Sequence, residues 1–258
     1  MDSGRLKTAA ILILLLVNLA FGWLLLNQRK NAADLQAQTR KELVQVLDGM
    51  GVAVEESLIP GETRLPRYTM TRSTDLETAL VQAFLGEADI QDMGGNIHYY
   101  ENENGRASFR SSGDFEILVS RPGVSVEKRL SDNGLALSRV GDEYVCLLEE
   151  RPVFNCRIRL EAPEGDSYRI YGRCMLGTLQ EGKTVASLGA ATLLLRFQDR
   201  VEESGRVFTR ILSIQVGYLM RSAVPGAELE PVWCIETDGG TWYLRAEDGQ
   251  LMGESAAS

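Results

Sequence analysis

The sequence predicts an α+β protein: an N-terminal single transmembrane helix, then a two-lobed extracytoplasmic domain of antiparallel sheets packed on helices. Three observations carry this expectation. Ala9 to Leu26 (AAILILLLVNLAFGWLLL) is uncharged over 18 residues, which as a helix covers roughly 27 Å, close to a bilayer's hydrocarbon thickness. Downstream, short runs of period-2 alternation are separated by Asn-Gly, Gly-Asp and Asp-Gly signals, as in antiparallel hairpins. Between them lie segments of helical periodicity, the clearest opening at Thr74.

Arg5, Lys7, Arg29 and Lys30 fence the apolar run, and no second run of this kind follows. A cleaved signal peptide fits poorly, because the core is long and the basic pair follows it before any small-x-small site. The expected organisation is a short cytoplasmic tail (1–8), a transmembrane anchor (9–28), a juxtamembrane helix with a first α+β lobe (29–121) and a second α+β lobe (122–258). Basic residues flank the anchor on both sides, so orientation rests on the short tail and the large acidic remainder. These place the chain in the cell membrane, single-pass, N-terminus inside and C-terminal domain extracytoplasmic.

Asp and Glu number 36 against 27 Lys and Arg, a net charge of −9, which argues against a nucleic-acid partner and against adhesion to anionic headgroups. Cys146, Cys156, Cys174 and Cys234 contain no CxxC pair, so neither a zinc ribbon nor a thioredoxin-type site is indicated. The sole histidine, His98, reads as a strand side chain rather than a ligand or base. No GxSxG elbow, HExxH, P-loop, GxGxxG or EF-hand loop is present, so no enzyme activity, cofactor or metal is expected. Asp114, Glu116, Asp142 and Glu143 read as solvated carboxylates at strand or turn edges.

In chain order, Asn31 to Met50 keeps helical spacing through Leu35, Leu43, Leu47 and Met50. It is either a stalk continuous with the anchor or the first helix of the domain. Val52 to Val54 reads as a short strand, followed by an extended stretch through Pro60, Gly61 and Pro66. Thr74 with Glu77 forms a capping-box pattern ahead of a helix through Leu80, Phe84 and Leu85. Ile97–Glu101, Ala107–Ser111 and Phe115–Ser120 read as a meander, and Pro122-Gly123 as the boundary between lobes. Val124 to Leu130 suggests a helix and Glu143 to Leu148 a strand.

Phe154, Cys156, Ile158 and Leu160 then alternate with polar residues, and Ile170, Cys174 and Leu176 repeat the pattern after a Pro-Glu-Gly-Asp loop. A hairpin centred on Gly165 pairs Leu160 with Ile170 and Cys156 with Cys174. The two cysteines are either a cross-strand disulfide or a pair of reduced, buried thiols. Val185 to Phe197 reads as a central helix with Ser187 or Gly189 near its start, and Val207 to Met220 as a long strand. Val232–Thr237 and Thr241–Ala246 form a hairpin about Asp238-Gly239-Gly240, with Trp233, Ile235, Trp242 and Leu244 on one face.

The opening Met1-Asp2, Lys7-Thr8 and a Leu/Ile-rich run with Asn18-Leu19 resembles the N-terminus of the YycI family. Gly217-Tyr218, Leu229-Glu230-Pro231-Val232-Trp233 with Ile235, and Tyr243, Ala246 and Asp248-Gly249 are similar to that family's closing pattern. Arg151-Pro152-Val153-Phe154-Asn155 resembles its strand entering the middle sheet. Departures are Ser3-Gly4 in place of an aromatic, Arg245 where Asn is common and Cys234 where a basic residue is common. The resemblance implies a non-catalytic accessory regulator of a sensor histidine kinase, WalK (YycG), of a Gram-positive two-component system, working with a YycH-like partner. Within the apolar run, Asn18 and Gly22 with Ile11, Leu15 and Leu25 form one stripe, where a small residue beside an amide suits contact with the kinase's transmembrane region. The alternative is a tolerated Asn with no partner helix. An extracytoplasmic ligand-binding or cell-envelope scaffold module is the other function class the residues allow.

Overall fold

The computed structural model describes residues 37–120, 125–162, 167–223 and 226–256. Of these described residues 52% are in strands and 23% in helices, so sheet sets the architecture. Four α-helices are described: α1 (37–49), α2 (Thr74–Phe84), α3 (Val126–Asp132) and α4 (Ala190–Ser204). The strands are β1 (Arg64–Arg72), β2 (Asp89–Asp92), β3 (Ile97–Asn102), β4 (Gly105–Arg110), β5 (Asp114–Ser120), β6 (Leu137–Val140) and β7 (Glu143–Leu148). They continue with β8 (Arg151–Glu161), β9 (Ser167–Arg173), β10 (Gly177–Ala186), β11 (Ile211–Ala223), β12 (Gly226–Thr237), β13 (Gly240–Arg245) and β14 (Leu251–Ala256).

All fourteen join one sheet, whose main path runs β10-β1-β12-β11-β8-β9-β5-β4-β3-β2. This corrects the expected fold class. The chain is mainly β, with one large mixed sheet in place of two α+β lobes of antiparallel sheet. Strand β1 pairs with β10 and β12, and β5 with β9, so hydrogen bonds tie early strands to late ones. The sheet is mixed because β11 and β8 run parallel where Tyr218 meets Val153. The expected boundary at Pro122-Gly123 lies outside the described residues.

The membrane placement is corrected as well. Among the described residues no helix is long and apolar enough to cross a membrane. The longest of them with fully described bounds, α4, spans 15 residues and carries Arg196, Asp199, Arg200, Glu202 and Glu203 beside its apolar stripe. The stretch 9–28, from which the single-pass, extracytoplasmic location was expected, lies outside the described residues, as does the stripe Ile11, Leu15, Asn18, Gly22 and Leu25.

The helices share one face of the sheet, as the parity of β12 shows. Its Ala227 and Leu229 pack with α2 and α3, and its Trp233 and Ile235, on the same face, pack with α1 and α4. In α4, Leu193, Leu194, Phe197 and Val201 are buried at helical spacing, and Gly205 ends the helix at φ 69. The expected helix over 185–197 is thus displaced. Val185 and Ala186 are the last residues of β10, Gly189 is the N-cap, and the apolar run extends into a more polar stretch.

Several local expectations hold. The meander of β3, β4 and β5 forms, Leu160 pairs with Ile170, and Trp233, Ile235, Trp242 and Leu244 share the core. The strand expected over 52–54 reduces to one bridge, Ala53 with Arg210. Pro66 is tolerated in β1 because it sits at a register shift, where the strand pairs only with β10.

Candidate functional site

Strand β8 changes partner midway, and the change opens the molecule. Its start meets β11 at Val153, while from Ile158 onward it pairs with β9. Between these points the Asn155 side chain stands in for a rung of sheet: its Nδ2 donates to Met220 O at 2.7 Å and its Oδ1 accepts from Met220 N at 2.9 Å. Gly217 lets the strands close up, because a Cβ there would strike the Pro152 carbonyl and lie 2.9 Å from the Phe154 ring.

Beyond this junction the helix-free faces of the β6–β7–β8 ribbon and of β11–β12–β13 look at each other across a cleft of about 990 Å³. One wall carries Val140, Glu143, Val145 and Arg159, and the other Leu212, Gln215, Glu236 and Thr241. The floor is apolar. Phe154 and Tyr243 lie with ring centroids 5.6 Å apart, and Cys234 beside them is buried. Leu212 and Val140 remain 47% and 54% exposed on the rim, where an apolar side chain gains nothing in the isolated chain.

Electrostatically the walls are mostly self-satisfied. Glu143 takes Arg157 Nη1 at 2.9 Å and pairs with Arg159 as well. The Arg157 hydrogen bond holds its carboxyl below the ordinary value, against the opposing pull of burial. Asp238 accepts from the backbone N–H of Thr209 and Arg210 and from the Thr209 hydroxyl at 2.6 Å, which lowers its pKa also. Burial pushes the Tyr243 phenol up and the Cys234 thiol up to about 12. Neither is poised as a nucleophile at neutral pH.

The β7–β8 turn shapes the cleft mouth. Glu149 and Glu150 both have positive φ, 49° and 64°, between the paired Leu148 and Arg151. A two-residue hairpin of this kind favours Asn-Gly, so two glutamates there are strained. Glu149 reaches back to accept from the Tyr68 hydroxyl at 2.7 Å, and Glu150 lines the cleft.

The other residues singled out from sequence lie elsewhere. His98 is on β3, with Nδ1 2.6 Å from Oε2 of Glu77, a carboxylate with no exposure. Glu77 does not close a capping box. It turns inward to Arg72, whose Nη1 and Nη2 donate to Asn96 O at 2.6 Å and Phe109 O at 3.1 Å. The carboxylates read as merely solvated are ion-paired in three of four cases: Asp114 with Arg173, Glu116 with Arg169, and Glu143 as above. Cys156 and Cys174 are free thiols buried in the core, near Cys146. The cleft itself was invisible in the sequence, since its walls come from β6–β8 and from β11–β13, far apart along the chain. The consecutive glutamates at a hairpin position were the one local sign.

No protein-family model matches the chain, and the comparison with curated proteins returned no match.

Proposed function

We propose that this protein is a non-catalytic binding module that regulates a sensor histidine kinase by holding a segment of it in the β6–β8/β11–β13 cleft. The cleft carries the reading. It is large, open, apolar at its floor and walled by strands, as peptide-binding surfaces are. Three of its carboxylates, Glu143, Asp238 and Glu236, are held by guanidinium, backbone N–H and hydroxyl groups, an arrangement that suits recognition better than proton transfer. The kinase is the partner implied by the resemblance to the YycI family, and a YycH-like protein is the second partner it implies. Part of that resemblance, Arg151 to Asn155, is the β8 segment that forms the junction and floor.

A photo-cross-linking amino acid at Leu212, on the cleft wall, tests this in native cells. Covalent recovery of a sensor histidine kinase from Leu212, and not from exposed Met93 beside β2, is the expected result. Cross-links from Leu212 to other proteins without any kinase would overturn it.

A further inference from the structure

The cleft is charged unevenly. Glu143, Glu150, Glu236 and Asp238 line it against Arg157 and Arg159, and both guanidiniums are spent on Glu143. Asp238 is taken up by backbone and hydroxyl donors, whereas Glu236, which stays exposed, accepts among the described residues only the Ser213 hydroxyl, at 3.0 Å. Glu150, also exposed, is held at the mouth by a left-handed backbone that a glutamate adopts at a cost. The apolar floor and acidic rim lie side by side along strands. An extended chain presents side chains with a period of two, so one set can enter the floor while the other meets the rim.

Resting on the partner-binding reading above, we infer that the cleft holds an extended polypeptide segment in which apolar residues alternate with lysine or arginine. The apolar side chains contact Phe154, Tyr243 and Leu212. The cationic ones pair with Glu150 and Glu236. The strained Glu149-Glu150 turn is then a binding device, with Glu149 anchored on Tyr68 so that Glu150 faces the occupant.

The test uses the full chain and two fluorescein-labelled octapeptides, one alternating leucine with lysine and the other leucine with glutamate, read by fluorescence anisotropy. The lysine probe binds at least tenfold more tightly, and its advantage falls as salt is raised. The advantage disappears in the double variant Glu150→Lys, Glu236→Lys. Equal affinity for the two probes, or a preference that survives the double reversal, overturns the inference. Glu150→Gly separates binding from turn geometry: it relaxes the backbone, so the chain resists urea better while binding the lysine probe more weakly. Unchanged affinity in that variant would assign Glu150 to the turn alone and refute the rim contact. Failure of the partner reading looks different. A lysine probe that discriminates while Leu212 captures no kinase keeps the peptide chemistry and removes the kinase. A kinase captured equally by native and doubly reversed chains, without probe discrimination, does the opposite.

Discussion

Removing the Glu77 carboxylate should destabilise this protein more than most single changes. Glu77 has no exposed surface, and its two oxygens meet Arg72 and His98, whose side chains are only 17% and 18% exposed. Arg72 is in turn the knot that ties β1 to α2, to the Asn96 carbonyl before β3 and to the Phe109 carbonyl of β4. Breaking a buried pair by deleting one partner costs about 3–5 kcal/mol, because the remaining charge is left without compensation. Two carbonyls and some solvent still reach the guanidinium, so Glu77→Ala belongs at the lower end, about 3 kcal/mol. Glu77→Gln keeps volume and an acceptor and should cost about 2 kcal/mol. Urea titrations followed by circular dichroism would read both. Replacing both charges, Arg72→Met with Glu77→Leu, should recover much of the loss. A Glu77→Ala variant within about 0.5 kcal/mol of the native chain, the scatter of ordinary surface changes, would refute the reasoning.

Two further outcomes follow from the electrostatics. Glu143 is depressed in the folded chain, so its contribution is fully present above the ordinary carboxyl value of 4.5 and is lost as pH falls through the lower, folded value. The stability gap between the native chain and Glu143→Gln should be about 0.5 kcal/mol at pH 7, since both guanidinium partners are solvent-exposed, and should close on acidification; a gap that widens below pH 4.5 contradicts it. Burial pushes the thiols of Cys146 and Cys234 up to about 12 and raises those of Cys156 and Cys174 as well. All four should therefore resist an aromatic disulfide reagent at pH 8 until the chain unfolds, with an intact mass unchanged by reductant; a rapid stoichiometric reaction of the native protein would contradict this.

Much of the local structure was legible because local signals and tertiary demands agreed. Asn-Gly and Asp-Gly turns marked the β3–β4 and β12–β13 hairpins, and alternation fixed the β8–β9 register, in which Leu160 meets Ile170. Where the two disagreed, the reading failed. Strand β10 (GTLQEGKTVA) is a polar edge with no apolar alternation, so the apolar run that begins at its end pulled the predicted helix too early. Thr74 and Glu77 satisfied the capping-box spacing, but the helix starts one residue earlier, with Ser73 as its N-cap, so Glu77 falls a position too far along and its carboxylate turns to Arg72 instead.

The sequence by itself determined the alternating runs, their turns, the hairpin registers and the aromatic face of Trp233 and Trp242. Each of these is set by residues within a few positions of one another. Only the tertiary structure decided that the strands form one sheet, that β8 and β11 run parallel, and that a cleft opens where they part. Those outcomes depend on pairings such as Tyr68 with Leu229 and Val153 with Tyr218. Long-range pairs of this kind are selected by the burial of a shared core, and no local pattern records the choice.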